Sequence, residues 1–282
     1  MGADVDPGLE LTVFPTLTDL APWLPPWDTH STLVTIALAA AGIVFLIEKR
    51  RRKADDPRVV YLVLGALLGA AVFSRLGTWA QHLDPSQNLS LLDQLARGNA
   101  SMLSALVGAW AGVHVAKRIV RYPHRSGDLF APAVALALAI GRIGCFLTEK
   151  PGTPTGGDWG IVLDPAAAAR VGAPAGVALH PSFVYEIAFH VAAFCLLWFW
   201  LRHRPIAAGE TLTLFIAAYA VFRFGVEFVR GNDVAWAGLT RPQLFLAVSI
   251  PLLLARLAWM ARRGDFTSGS PRTERHVDAS AT

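Results

Sequence analysis

Two arginines stand in stretches that otherwise read as oil. Arg142 closes the apolar run 130–146, flanked by Gly141 and Gly144, and Arg223 lies inside the run 212–228 with Glu227 four residues further on. An ionised side chain at the centre of a membrane-length apolar helix costs about 2.5–3.5 kcal/mol on insertion scales. A chain that carries such a residue binds something charged with it or pairs it internally. The chemistry on offer is anion recognition. Guanidinium forks grip phosphate through paired hydrogen bonds, and nearby carboxylates such as Glu227 and Glu149 hold the forks in place.

The elements that must position these residues follow from composition. The chain has 282 residues, 54% hydrophobic and 16% charged, with a mean hydropathy of +0.43. Soluble domains carry about 25% charged residues, so lipid is the expected solvent. Apolar runs at 31–47, 59–76, 101–120, 129–147, 181–201, 211–228 and 242–260 each approach the roughly 20 residues a helix needs to cross a bilayer. Open strands are excluded there, because backbone groups must be satisfied within the segment. The expectation is an all-α membrane protein of about seven transmembrane helices. Several runs are rich in Gly and Ala, which allows close helix approach.

Basic clusters follow the first span (Lys49 to Lys53), the third (Lys117, Arg118, Arg121, Arg125), the fifth (Arg202, Arg204) and the last (Arg262, Arg263). They alternate with loops poor in Lys and Arg, which places the N-terminus outside and the C-terminus in the cytoplasm. The expected layout is an extracytoplasmic segment 1–30, a transmembrane domain 31–261 and a disordered cytoplasmic tail 262–282. The N-terminal segment holds Asp4, Asp6, Glu10, Asp19 and Asp28 with no Lys or Arg, and its prolines predict an irregular lead-in with a short interfacial turn at Trp23 and Trp27. It lacks the basic start of a signal peptide, so the first run reads as a retained helix. No basic stripe interleaved with aromatics points to nucleic acid. Cys145 and Cys195 lie in different runs and form no disulfide framework or zinc spacing, so no metal is expected.

In this orientation the unusual polar residues share one depth near the outer leaflet. Arg142 ends the fourth span and Glu149 follows it; Arg223 and Glu227 lie in the outer half of the sixth, with Arg230 beyond; His180, Tyr185 and Glu186 begin the fifth; Arg75 ends the second. Plainer readings stand beside the functional one. Arg223 and Glu227 could neutralise each other one turn apart, and Arg142 and Arg75 could snorkel to the interface. His180-Pro181-Ser182 makes a good helix start, Tyr185 and Trp159 suit interfacial anchors, His114 and His190 suit interior histidines, and Cys145 and Cys195 suit packing. The shared depth favours a phosphate site, and in a bilayer the nearest abundant phosphate is a lipid headgroup.

Three stretches resemble signatures of the bacterial prolipoprotein diacylglyceryl transferase family. Gly141-Arg142-Ile143-Gly144-Cys145-Phe146, followed by Glu149, Gly152, Pro154, Thr155, Trp159 and Gly160, is similar to G-R-x-G-N-F…E…G-x-P-T…W-G. His180-Pro181-Ser182-Phe183-Val184-Tyr185-Glu186 is similar to H-P-S-Q-L-Y-E. Tyr219 to Arg230 is similar to Y-x-x-F-R-x-x-V-E-F-x-R, and Thr240-Arg241-Pro242-Gln243-Leu244 faintly resembles S-x-G-Q. The resemblance covers about residues 126–250. It implies a seven-helix, multi-pass protein of the bacterial inner (plasma) membrane. The implied enzyme moves the diacylglyceryl group of phosphatidylglycerol to the lipobox cysteine of a prolipoprotein signal peptide, with no metal or organic cofactor. The implied catalytic residues are Arg142, Arg223, Glu227 and Glu149, and the implied substrate-binding residues include Arg142, Arg223 and Tyr219, with Tyr185, Glu186 and Arg230 beside them.

This chain departs from the pattern. Where the family carries a His at the start of the third span, this sequence has Leu103; its Asn after G-R-x-G is Cys145; one residue is missing before Glu149. Without that His, the thiol's base is sought in His180 or Glu149. The alternatives are a related lipid-group transferase with another acceptor and a non-catalytic binder or carrier of anionic lipid.

Overall fold

The computed structural model describes residues 9–11, 13–79, 86, 88–98, 100–204 and 206–266. In chain order its elements are β1 (Leu9–Leu11), α1 (Leu17–Leu20), α2 (Thr29–Arg51), α3 (Val59–Leu76), α4 (Leu91–Arg97), α5 (Met102–Ile119) and α6 (Gly127–Thr148). Then come β2 (Ile161–Leu163), α7 (Pro165–Val171), α8 (Ser182–Cys195), α9 (Glu210–Val226), β3 (Val234–Trp236), β4 (Leu239–Thr240) and α10 (Arg241–Arg262). The chain is a mostly helical, multi-pass membrane protein. Among the described residues, six helices are long and apolar enough to cross a bilayer: α2, α3, α6, α8 extended to His203, α9 extended to Val229, and α10. The expected third span forms α5, but His114, Lys117 and Arg118 make it less apolar than those six.

Two compact units are present, one of Lys49–His124 and one of the remaining chain. In the smaller unit α3 lies against α5 through Gly65 and Gly69 on one side and Gly108 and Gly112 on the other. A Cβ at Gly69 would overlap the Gly108 carbonyl oxygen. Without a hydrophobic drive between helices in lipid, such backbone proximity is what holds them. Arg75 does not reach for an interface: its Nη1 donates to the Gly98 carbonyl at 2.7 Å, while Gln94 donates to the Arg75 carbonyl at 2.7 Å. These bonds tie α4 to the end of α3.

In the larger unit α6 is the hub. Within it 61% of the spanning window is buried, against 39% for α9 and 17% or less for α2, α8 and α10. Ala131, Ala133, Ala135 and Ala139 are buried along α6, so its neighbours approach closely. Entry into α2 is set by Asp28, whose carboxylate accepts the Ser31 N–H at 2.6 Å. α8 does not stop at Cys195 but loosens into a π turn, Leu196–Trp200, before a closing 3-10 turn at Leu201–His203.

The lead-in is more ordered than its prolines predict. β1 pairs in parallel with β2, Leu9 opposite Ile161 and Leu11 opposite Leu163. Val13, Ile161, Leu163, Ala167, Ala168 and Leu179 form a small buried core outside the long helices. α7, at the edge of that core, is built from strong local signals: Asp164 accepts the Ala167 N–H at 2.8 Å, Pro165 takes the first position, and Gly172 closes it at φ 66°. Such short elements leave no mark on a span-length hydropathy reading. Trp23 and Trp27 are exposed, as an interfacial turn requires. Residues 1–8 of the lead-in and 267–282 of the expected disordered tail lie outside the described residues.

Candidate active site

Three helical stripes face one another at one end of the larger unit. On α6, Leu138, Arg142 and Cys145 are buried; on α8, Phe183, Glu186 and His190; on α9, Phe215, Tyr219 and Arg223, with Glu227 one turn further on. The spacing of three and four residues keeps each set on a single face. The same spacing that packs the helices therefore delivers a line of charge into their midst.

Each buried arginine has a carboxylate. Arg142 Nε lies 2.7 Å from Glu186 Oε2, and Arg223 pairs with Glu227 one turn away. Glu186 also takes Arg230 Nη1 at 3.0 Å, and Glu227 accepts from Asn232 at 2.7 Å and from the Thr240 hydroxyl at 2.8 Å. Arg230 stands on the Phe183 ring, 4.3 Å from its centroid. Burial pulls the Arg230 pKa below its ordinary value, with Glu186 opposing and the charges of Arg142 and Arg223 adding to the depression. The Tyr219 hydroxyl feels Arg142, Glu186 and Arg223 together. It lies beside the Arg142 guanidinium without a well-aligned hydrogen bond to it. Next to it, His190 is fully buried, its ring 4.7 Å from that of Tyr219, and neither ring nitrogen has a hydrogen-bond partner among the described residues.

The structure thus gathers Arg142, Arg223, Tyr219, Glu186, Glu227 and Arg230 from the expected set. Partnerships differ from those expected. Glu149 is not the partner of Arg142: it caps the end of α6, half exposed, 3.9 Å from Arg230 and 3.9 Å from the His30 Nδ1. His180 is set apart from the arginines in its contacts. Its Nδ1 meets the Tyr185 hydroxyl at 3.3 Å and its ring meets Trp159 edge-on. Its backbone has the clearer task, accepting the Gly152 N–H at 2.7 Å and donating to the Thr153 carbonyl at 2.8 Å, while Thr153 donates to the Val229 carbonyl at 2.8 Å. That loop stitches the start of α8 to the end of α9. A Cβ at Gly152 would overlap the Val229 carbonyl oxygen, so glycine is required there.

Sequence reasoning passed over His30 and Asn232, and met Thr240 only in a faint motif resemblance. His30 lies in the first turn of α2, and its Nδ1 is 3.9 Å from the Cys145 sulfur, which in turn is 3.7 Å from Arg142 Nη1. Atoms of His30, Cys145 and Glu149 fall within 4.8 Å of one another. A guanidinium against the sulfur repels a metal cation and suits an anion or a proton transfer. The available signal was the position of His30 at the head of the first apolar run, level with the other polar residues. Asn232 had no such signal, and the place of Thr240 at the head of α10 shows its bond to Glu227 only in the structure.

Comparison with known proteins agrees with the motifs. The profile of the family described as prolipoprotein diacylglyceryl transferase matches residues 24–262. A phosphatidylglycerol–prolipoprotein diacylglyceryl transferase of Chromohalobacter salexigens is 31% identical over 274 residues, covering 90% of this chain and 96% of that protein. One from Pseudomonas aeruginosa is 30% identical over 270 residues, covering 90% and 97%. One from Bordetella bronchiseptica is 33% identical over 211 residues, covering 70% and 73%. With its signature residues drawn together on facing helices and matches that run nearly end to end, this chain belongs to the prolipoprotein diacylglyceryl transferase family.

Proposed function

We propose that this protein transfers the diacylglyceryl group of phosphatidylglycerol to the lipobox cysteine of prolipoproteins in the bacterial inner membrane. The observation that carries the reading is the gathering of Arg142 and Arg223, both buried, about Tyr219, with the part-buried Arg230 on the same Glu186 as Arg142. Their buried carboxylates are Glu186 and Glu227, and the half-exposed Glu149 stands 3.9 Å from Arg230. The family's relatives, named for the same reaction, support it.

The transfer is a displacement at the glycerol carbon that bears the phosphate. The acceptor sulfur forms a bond to that carbon as the carbon–oxygen bond breaks, and the electron pair leaves with glycerol phosphate. Arg142 and Arg223 meet the charge that grows on the departing phosphate, where a fixed donor outside bulk water acts most strongly. Glu186 and Glu227 hold the two forks from behind. Tyr219 lies between them and offers its hydroxyl to a phosphate oxygen, and Arg230 shares Glu186 with Arg142.

The same reading sets the frame of the molecule. α5 is the seventh span, supported by its close glycine packing on α3. The end of α6 that carries Arg142 faces outward, supported by the basic loops at the other side. Residues 1–30 are then extracytoplasmic, 31–261 transmembrane and 262–282 cytoplasmic.

The test uses labelled phosphatidylglycerol and a lipobox peptide. Arg142→Ala and Arg223→Ala are each expected to lower the transfer rate by about 10²–10³-fold, the loss seen when one donor to a developing oxyanion is removed. Either variant working at the wild-type rate ends the phosphate-clamp reading.

A further inference from the structure

The transfer needs a base, and the side chains of the arginine cluster do not provide one. Arginine stays protonated, and Glu186 and Glu227 are engaged by guanidinium groups. His190 is fully buried beside Tyr219. His180 is held by Tyr185 and Trp159.

Resting on the transferase reading, we propose that His30, oriented by Glu149, is the proton acceptor for the incoming thiol. Three observations carry it. The side chain is 39% exposed and that of Glu149 44%, so a substrate can reach them, unlike the arginines behind. Its Nδ1 stands 3.9 Å from Glu149 Oε1, close enough for a modest closure on binding to make a hydrogen bond. With Nδ1–H directed to that carboxylate, Nε2 becomes the basic nitrogen. Finally, His30 adjoins the phosphate clamp through Cys145, whose sulfur lies 3.9 Å from His30 Nδ1 and 3.7 Å from Arg142 Nη1. One side chain, Cys145, thus separates His30 from the arginine that holds the leaving group.

The charged and titratable groups around the imidazole are Glu149 and Cys145 from α6, Arg142 behind the sulfur, and Asp28 just ahead on its own segment, which senses the histidine charge. In the step itself the thiol proton passes to Nε2 and the thiolate sulfur bonds to the glycerol carbon. The carbon–oxygen pair departs with glycerol phosphate. The proton then leaves His30 for that phosphate or for water, and nothing is oxidised or reduced. Cys145 takes no covalent part.

The full-length protein in detergent with phosphatidylglycerol and a lipobox peptide decides the matter. Wild-type protein that makes no thioether product overturns the transfer reading, and this assignment with it. Where wild type turns over, His30→Ala is expected to lose about 10²-fold or more in kcat, the usual scale for removing a general base, with KM for phosphatidylglycerol unchanged. Added imidazole should restore part of the rate, and the fall of rate at acid pH expected of wild type should be absent from the residual rate of the variant. His30→Gln, closer in shape, should be as slow as His30→Ala in the absence of imidazole. A His30→Ala protein that keeps the wild-type rate, keeps the acid fall, or gains nothing from imidazole overturns the assignment.

Discussion

Buried ion pairs occur at both ends of the larger unit, and they are built in opposite senses. At the end where α2 finishes and α9 begins, the buried partners are anions. Glu48 takes Arg202 at 3.0 Å, Glu210 takes Arg125 and Arg256, and Asp128 accepts the Gly209 and Thr211 N–H groups at 2.8 and 3.1 Å. The cations there sit further out, with side-chain exposures of 59% for Arg125, 38% for Arg256 and 20% for Arg202. At the other end the cations are inside, at 7% for Arg142, 6% for Arg223 and 13% for Arg230. Carboxylates that draw in surface arginines close off a helix bundle. Arginines held inside, each with five donors and no acceptor, leave hydrogen bonds on offer that suit the oxygens of a phosphate. On the proposed function, the first arrangement is structural and the second is the binding site.

The sharpest way to break this contrast is to remove a carboxylate at each end. Glu227→Ala strips Arg223 of its partner and frees Thr240 and Asn232, leaving a buried charge unpaired. The expected loss is about 3–5 kcal/mol of stability, seen as a large fall in Tm, together with loss of transfer. Arg142→Lys keeps the charge and discards the fork. Giving up one or two charge-assisted hydrogen bonds of roughly 1.5 kcal/mol each predicts a drop in kcat/KM of about ten- to a hundredfold, with little change in Tm. Glu210→Gln at the opposite end frees two arginines that solvent can rehydrate. Transfer should continue at the wild-type rate, and stability should fall by only about 1 kcal/mol; a rate loss matching that of the site variants would erase the distinction.

The smallest effect concerns the entry to α2, which carries His30. The Ser31 hydrogen bonds hold the Asp28 carboxyl below the usual value of 3.8. A depressed folded pKa means that this cap contributes fully above the unfolded value and is lost as pH falls through the folded one. Amide exchange in the first turn of α2 should therefore quicken on acidification below about pH 4. Asp28→Asn, which keeps a capping side chain, should remove that pH dependence and leave exchange at neutral pH nearly unchanged.

Much of the site was legible because a charge inside an apolar run has few explanations. Arg142, Arg223 and Glu227 declared themselves in that way, a shared depth added Glu186 and Arg230, and the family motifs added Tyr219. The partner of Arg142 was not legible. Glu149 is nearer in sequence, but it lies past the helix end, whereas Glu186 on α8 faces Arg142 across a packed interface. His180 read well as a motif residue, yet its visible work is in the backbone of a loop. His30 looked like the last residue of a lead-in, and only the return of the chain beside Cys145 and Glu149 gives it chemical company.

From the residue order alone follow the solvent, the helical spans, their alternation across the bilayer and the arginines that call for an anion. These depend on local properties: apolar length, the excess of Lys and Arg in loops, and the cost of a lone charge in hydrocarbon. The tertiary structure decided which carboxylate holds which arginine, that a small sheet and α7 cap the larger unit, and which histidine meets the site. Those depend on the directions in which separate helices turn their faces, and no single helix carries that information.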